Sequence, residues 1–110
     1  MATVLRSERA LDALGDSTRR AIFRRLQKGN RSVREIADGM DISRPAVSQH
    51  LKVLKTAGLV LVRIDGTRRL YTIDLDGVDA LRKWFDGFWD NTLIAFKRAA
   101  EQEQEKSREN

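Results

Sequence analysis

The sequence predicts a mainly α-helical domain that carries one small β-hairpin. Three observations lead there. Residues 43–57 form an amphipathic helical pattern with a start, a stop and an acid-free outer face. Just before it, a second short helical pattern ends in the tight turn Gly39 to Ile42. Just after it, two runs rich in β-branched and apolar residues flank Asp65-Gly66, a strong hairpin signal.

Helix α1 is expected over residues 3–14, with Val4, Leu5, Leu11 and Leu14 apolar and Gly15 as its break. Helix α2 follows over 17–28, with Asp16 and Ser17 as competing N-caps. It turns Ile22, Phe23 and Leu26 inward, while Arg19, Arg20, Arg24, Arg25 and Lys28 ring the rest. Gly29-Asn30 closes it. Helix α3, residues 32–39, opens on Ser32-Val-Arg-Glu35, a capping box in which the serine takes the N3 amide and the glutamate reaches back. Val33, Ile36 and Ala37 are its buried side.

Helix α4 spans 43–57. Ser43 can cap it, and Pro45 lies in the first turn, where a missing N–H costs little. Val47, Leu51 and Leu54 fall at i, i+4 and i+7 and make the inward stripe; Gly58 ends the helix as a left-handed C′ residue. Two short helices joined by a tight turn, the second polar outside, form a helix-turn-helix. Strands β1 (59–64) and β2 (68–73) then pair around Asp65-Gly66, with Thr67, Arg68 and Arg69 at or beside the tip. Such a hairpin beside a helix-turn-helix is a wing. Helix α5, 77–104, is led in by Asp76-Gly77 and carries Val78, Leu81, Phe85, Phe88, Trp89, Leu93 and Phe96, with Trp84 on the flank. The fold class is therefore a winged helix-turn-helix in the order α1-α2-α3-α4-β1-β2-α5. Residues 1–104 make one domain, and the polar residues 105–110 are expected to be a mobile tail.

A chain of 110 residues has room for one domain with a modest core. Its charge is unevenly placed. Residues 1–34 hold nine Lys/Arg and three acids, residues 44–69 six and one, and residues 70–110 six and nine. Positive charge thus gathers on the N-terminal helices and on the stretch from α4 to the wing, which suits an anionic partner. The chain has no cysteine, which excludes disulfides, thiolate ligands and a cysteine nucleophile. Its single histidine excludes a multi-histidine metal site within one chain. No signal peptide and no apolar run near the length of a membrane span is visible, so a cytoplasmic protein without membrane contact is expected. No Gly-rich phosphate loop is present, and an enzyme is the poorest fit.

The runs LDALGDSTRRAIFRRL (Leu11 to Leu26), SVREIA (Ser32 to Ala37), SRPAVSQHLKVL (Ser43 to Leu54), AGLV (Ala57 to Val60) and GTRRLY (Gly66 to Tyr71) occur in this order and spacing. Together they resemble the ArsR-type winged-helix repressors of bacteria and archaea, over about residues 8–75. The resemblance implies a homodimer pairing through first and last helices, an inverted-repeat operator near a promoter, and in many members release by an inducer. It also shows a departure. Metal-sensing members often carry a cysteine pair at the start of the third helix, where this chain has Ser32 and Arg34. A second kind of metal site uses His, Asp and Glu on the last helices; here Asp79, Asp86, Asp90 and Glu101 stand without histidine and read as charge complements. The chain looks closer to the metal-independent, autorepressor-like branch, with no metal and no cofactor. Any inducer is unknown.

The candidate partner is double-stranded DNA. Arg44, Pro45, Ser48, Gln49 and Lys52 of α4 are the candidate contacts, rather than a solvated face, because cations and hydrogen-bonding groups stand there with no acid. Arg44 and Gln49 suit base readout, since bidentate geometry fits guanine and adenine; Lys52 suits phosphate. Arg68 and Arg69 are the wing candidates, and strand alternation keeps them from pointing the same way. Arg19, Arg20 and Arg31 form a second tier of phosphate candidates. His50 reads as a packed or capping residue at the edge of the motif. Leu5, Leu81, Phe85, Phe88, Trp89 and Phe96 are the expected dimer interface, in preference to an inducer pocket there. Two other readings stay open: a metal- or small-molecule-responsive sensor with its effector site at the dimer interface, and a winged helix used for protein–protein contact.

Overall fold

The computed structural model describes residues 2–109, with side chains from Leu5 to Arg108. Its elements are α1 (Ala2–Ala13), α2 (Ser17–Gln27), α3 (Val33–Asp38), α4 (Arg44–Thr56), β1 (Val60–Asp65), β2 (Arg68–Ile73) and α5 (Leu75–Glu109). The order is the expected one, mostly helical with one two-stranded antiparallel hairpin.

The core gathers Ile22 and Leu26 of α2, Ile36 and Ala37 of α3, Val47, Leu51 and Leu54 of α4, and Leu59 and Val60 at the start of the wing. Phe23, Val33, Tyr71, Val78 and Leu81 pack at its margin. Helix α1 meets this core through small residues. Its buried residues are Ser7, Ala10 and Ala13, while Leu5 and Leu11 are exposed and only Leu14 reaches the core edge. Small side chains on that face let the backbone of α1 come close to the core. Val4 lies outside the described side chains.

The competition to cap α2 is won by Asp16, whose carboxylate accepts from the Arg19 N–H at 3.0 Å. The capping box of α3 is complete: Ser32 Oγ accepts from Glu35 N–H, and Glu35 Oε1 accepts from Ser32 N–H, both at 3.2 Å. At the wing, the turn is one residue later than expected. Asp65 pairs in register with Arg68, so the two-residue loop is Gly66-Thr67. Gly66 has φ +64 and Thr67 is not left-handed, the pattern of a II′ hairpin with glycine at its first central position.

Helix α5 starts two residues before the expected Gly77, because Asp74 acts as its cap: Oδ1 accepts from the N–H groups of Asp76 (3.1 Å) and Gly77 (3.3 Å). Gly77 is buried against Gly58, the left-handed residue (φ +80) after α4; a Cβ on Gly77 would lie 1.7 Å from the Gly58 carbonyl oxygen. Two glycines thus let two backbones touch where α5 begins and α4 ends. The helix then runs to Glu109, through the segment expected to be a mobile tail. At 35 residues it is about 50 Å long, and it stretches the molecule to 73 × 28 × 21 Å. The radius of gyration is 19.8 Å, against about 13 Å for a compact chain of this length. Among the described residues no helix is long and apolar enough to cross a membrane.

Candidate nucleic-acid interface

Helix α4 is fixed from its inner side. Ser43 Oγ accepts from Ala46 N–H at 3.3 Å, Pro45 sits in the first turn, and Val47, Leu51 and Leu54 are each 0 % exposed. Three anchored residues over two turns leave the helix no freedom to rotate about its axis. Its outer face is thereby committed. Arg44, Pro45, Ser48, Gln49 and Lys52 are all exposed, together with Lys55. Among the described residues, none of these side chains has a hydrogen bond or an ion pair within the molecule. The face holds cations, a hydroxyl and an amide that are open to an outside partner.

The two wing arginines part company. Arg68 lies against Glu35 of α3, guanidinium nitrogen to carboxylate oxygen at 2.6 Å. Arg69 stands exposed opposite Ile64 in the register, without an intramolecular partner among the described residues. The wing is also tied lower down. Arg31 and Tyr71 exchange backbone hydrogen bonds, Arg31 N–H to the Tyr71 carbonyl at 3.1 Å and Tyr71 N–H to the Arg31 carbonyl at 2.8 Å. The hairpin therefore leaves the core in one direction only.

Several arginines do structural work that the sequence reading missed. Arg19 Nε donates to the Ala13 carbonyl at 2.6 Å and Arg20 donates to the Leu14 carbonyl at 2.8 Å, both closing the end of α1. Arg25 donates to the Gly39 carbonyl at 3.1 Å and Arg31 Nε to the Arg25 carbonyl at 3.2 Å. A cation that falls just past a helix end finds free carbonyls and the negative end of the helix dipole there. That signal was legible for Arg19 and Arg20, which follow the Gly15 break.

Electrostatics reinforce the caps. The Arg19 backbone N–H holds the Asp16 carboxyl below the usual carboxylate range. The Ser32 backbone N–H does the same for Glu35, with the Ser32 side chain and Arg68 adding to it. His50 is half-buried. On α5, Lys83 and Arg82 hold Asp79 below the usual range through ion pairs of 3.0 and 3.2 Å. Among the described residues no three His, Asp or Glu side chains gather as metal ligands would.

The residues expected at a dimer interface form a largely uncovered face. Phe85, Phe88 and Trp89 are exposed and touch one another with ring centroids 5.8 to 6.3 Å apart. Phe96 is 74 % exposed and Leu5 56 %. Leu81 differs: it is half-buried against the chain's own core.

Residues 14–63 match the helix-turn-helix domain family. The chain is 50% identical over 103 residues to the HTH-type transcriptional regulator Rv2034 of Mycobacterium tuberculosis, covering 94% of this chain and 96% of that one. Among solved structures it is similar to an ArsR-like transcriptional regulator from Rhodococcus sp. RHA1 (TM-score 0.75, 27% identity, 91% of this chain and 97% of that one). It is also similar to the homodimeric winged helix-turn-helix DNA-binding domain of Mb0332 from Mycobacterium bovis (TM-score 0.67, 32% identity, 84% and 85%). Similarity along nearly the whole length of a regulator, in the same order of elements, places the chain: it belongs to the ArsR-type winged helix-turn-helix transcriptional regulators.

Proposed function

We propose that the chain is a cytoplasmic homodimeric repressor that binds double-stranded DNA at an inverted repeat and performs no catalysis. The observation that carries this reading is the outer face of α4, exposed, free of acids and without intramolecular partners. In the major groove Arg44, Ser48 and Gln49 meet base edges, Pro45 shapes the first turn against the backbone, and Lys52 takes a phosphate. On the wing, Arg69 meets the duplex, and Arg68 holds the hairpin at its angle through Glu35. The aromatic face of α5 pairs with that of a second copy, and exposed Leu5 of α1 joins the interface. A two-fold dimer puts its half-sites about one helical turn apart, roughly 34–36 Å. Residues 32 and 34 offer no thiolate, and Asp79 is engaged by Lys83 and Arg82, which supports the metal-independent branch.

Selection of bound duplexes from a random pool tests this reading. The expected product is a two-fold symmetric sequence, bound with an affinity that falls steeply with salt. Recovery of unrelated sequences, or no duplex retained at all, would count against it.

A further inference from the structure

A cleft of about 460 Å³ lies beside α4, where Gln49, Lys52 and Val53 face Arg9 and Asp12 of α1 and Arg19 of α2. Three cations there meet one carboxylate. Among the described residues Arg9, Asp12 and Lys52 form no side-chain hydrogen bond or ion pair. Arg19 commits its Nε to the Ala13 carbonyl at 2.6 Å, and that bond fixes the plane of the guanidinium while leaving its terminal N–H groups free. A fixed planar fork flanked by two exposed cations is an arrangement suited to a tetrahedral oxyanion. With three cations against one carboxylate, the cleft is net positive and favours an anion. Gln49 and Lys52 belong at once to this cleft and to the outer face of α4, so the cleft opens on the side where a duplex would lie.

We propose that the cleft seats a backbone phosphate of the duplex, held by Arg9 and Arg19 together with Lys52. The proposal rests on α4 reading duplex DNA; it extends the footprint to Arg9 of α1 and joins Arg19, a second-tier candidate of α2, to Lys52 in one seat. Phosphate is the shared chemistry of two sources, the DNA backbone and small free anions, and the observations favour the backbone because the cleft adjoins the reading face.

The test is a set of binding titrations on matching and scrambled duplexes at several salt concentrations. Arg9→Ala weakens both duplexes alike, by about threefold, and makes the salt slope shallower by about 1 per protomer. Its thermal stability stays that of the parent, since Arg9 is exposed and unpartnered. Arg24→Ala, exposed on α2 outside the cleft, changes neither quantity. Unchanged affinity and slope in Arg9→Ala, or an equal loss in Arg24→Ala, would overturn the seat. Saturable binding of inorganic phosphate at the cleft, followed by amide shifts of Arg9 and Arg19, that leaves the affinity for the duplex unchanged would overturn the assignment to the backbone. A parent protein that binds no duplex at all would instead overturn the reading of α4.

Discussion

Arg68, near the tip of the wing, and Glu35, in the first turn of α3, are joined at 2.6 Å although 33 residues separate them. The same carboxylate oxygen also accepts from the Ser32 N–H of the capping box. One glutamate therefore starts a helix of the helix-turn-helix and holds the wing beside it.

That shared role separates the wing arginines in solution. Arg69→Ala is expected to weaken all duplexes alike and to make the salt slope shallower by about 1 per protomer. Glu35→Gln keeps an acceptor for the capping box but weakens the hold on Arg68; affinity falls while the slope stays. Fluorescence anisotropy across a salt series reads both. Equal slope changes in the two variants would remove the distinction.

Along α4, Gln49→Ala is expected to relax sequence preference, losing about 1–3 kcal/mol of discrimination at its base pair. Lys52→Ala weakens matching and scrambled duplexes equally. The check is a competition between the two duplexes, and a uniform loss for Gln49→Ala would reassign that residue to the backbone.

Acid should unfold the protein through a small set of carboxyls. Asp16, Glu35 and Asp79 are all held below the ordinary range in the folded chain, chiefly by the Arg19 N–H, the Ser32 N–H and the Lys83 ammonium. A depressed carboxyl stabilises above its unfolded pKa, about 4, and that stabilisation is lost as pH falls through the folded value. The melting temperature is thus expected to be flat near neutrality and to fall below about pH 4. Calorimetry of Glu35→Gln should show a smaller acid-dependent drop than the parent.

The aromatic face of α5 predicts an oligomeric defect. Phe88→Asp places a charge among Phe85 and Trp89 and should give monomers by analytical ultracentrifugation, with operator binding lost. A dimer that persists would move the interface elsewhere.

In the core, Leu54→Ala removes a side chain that is 0 % exposed and should cost about 2–5 kcal/mol in denaturant unfolding. Gly77→Ala drives a Cβ into the Gly58 carbonyl; α5 must then shift, and both stability and DNA affinity should fall together.

Much of this molecule could be read from the chain because its signals are local. Ser43, Pro45, the Val47-Leu51-Leu54 stripe and Gly58 lie within sixteen residues, and each acts through its own helix. The capping box of Ser32 and Glu35 is equally local. What escaped depends on distance in sequence or on the size of neighbours. Leucines mark α1 as apolar, yet Ser7, Ala10 and Ala13 face the core, because close backbone approach rewards small side chains that a hydrophobic pattern does not weigh. Strand alternation turns Arg68 and Arg69 apart, but which of them is held is decided only when the fold brings Glu35 to Arg68. Asp74 was hidden as the α5 cap by the stronger turn signal of Asp76-Gly77.

The contact of Gly77 with Gly58 joins the long helix α5 directly to the end of α4. Mechanically that is a rigid joint on a lever some 50 Å long. A small change in the angle at which two α5 helices cross would be carried straight to the two α4 helices and alter the distance between them. Under the proposed pairing through α5, the operator spacing a dimer accepts is set by helices that lie away from the reading face, and two glycines transmit the setting.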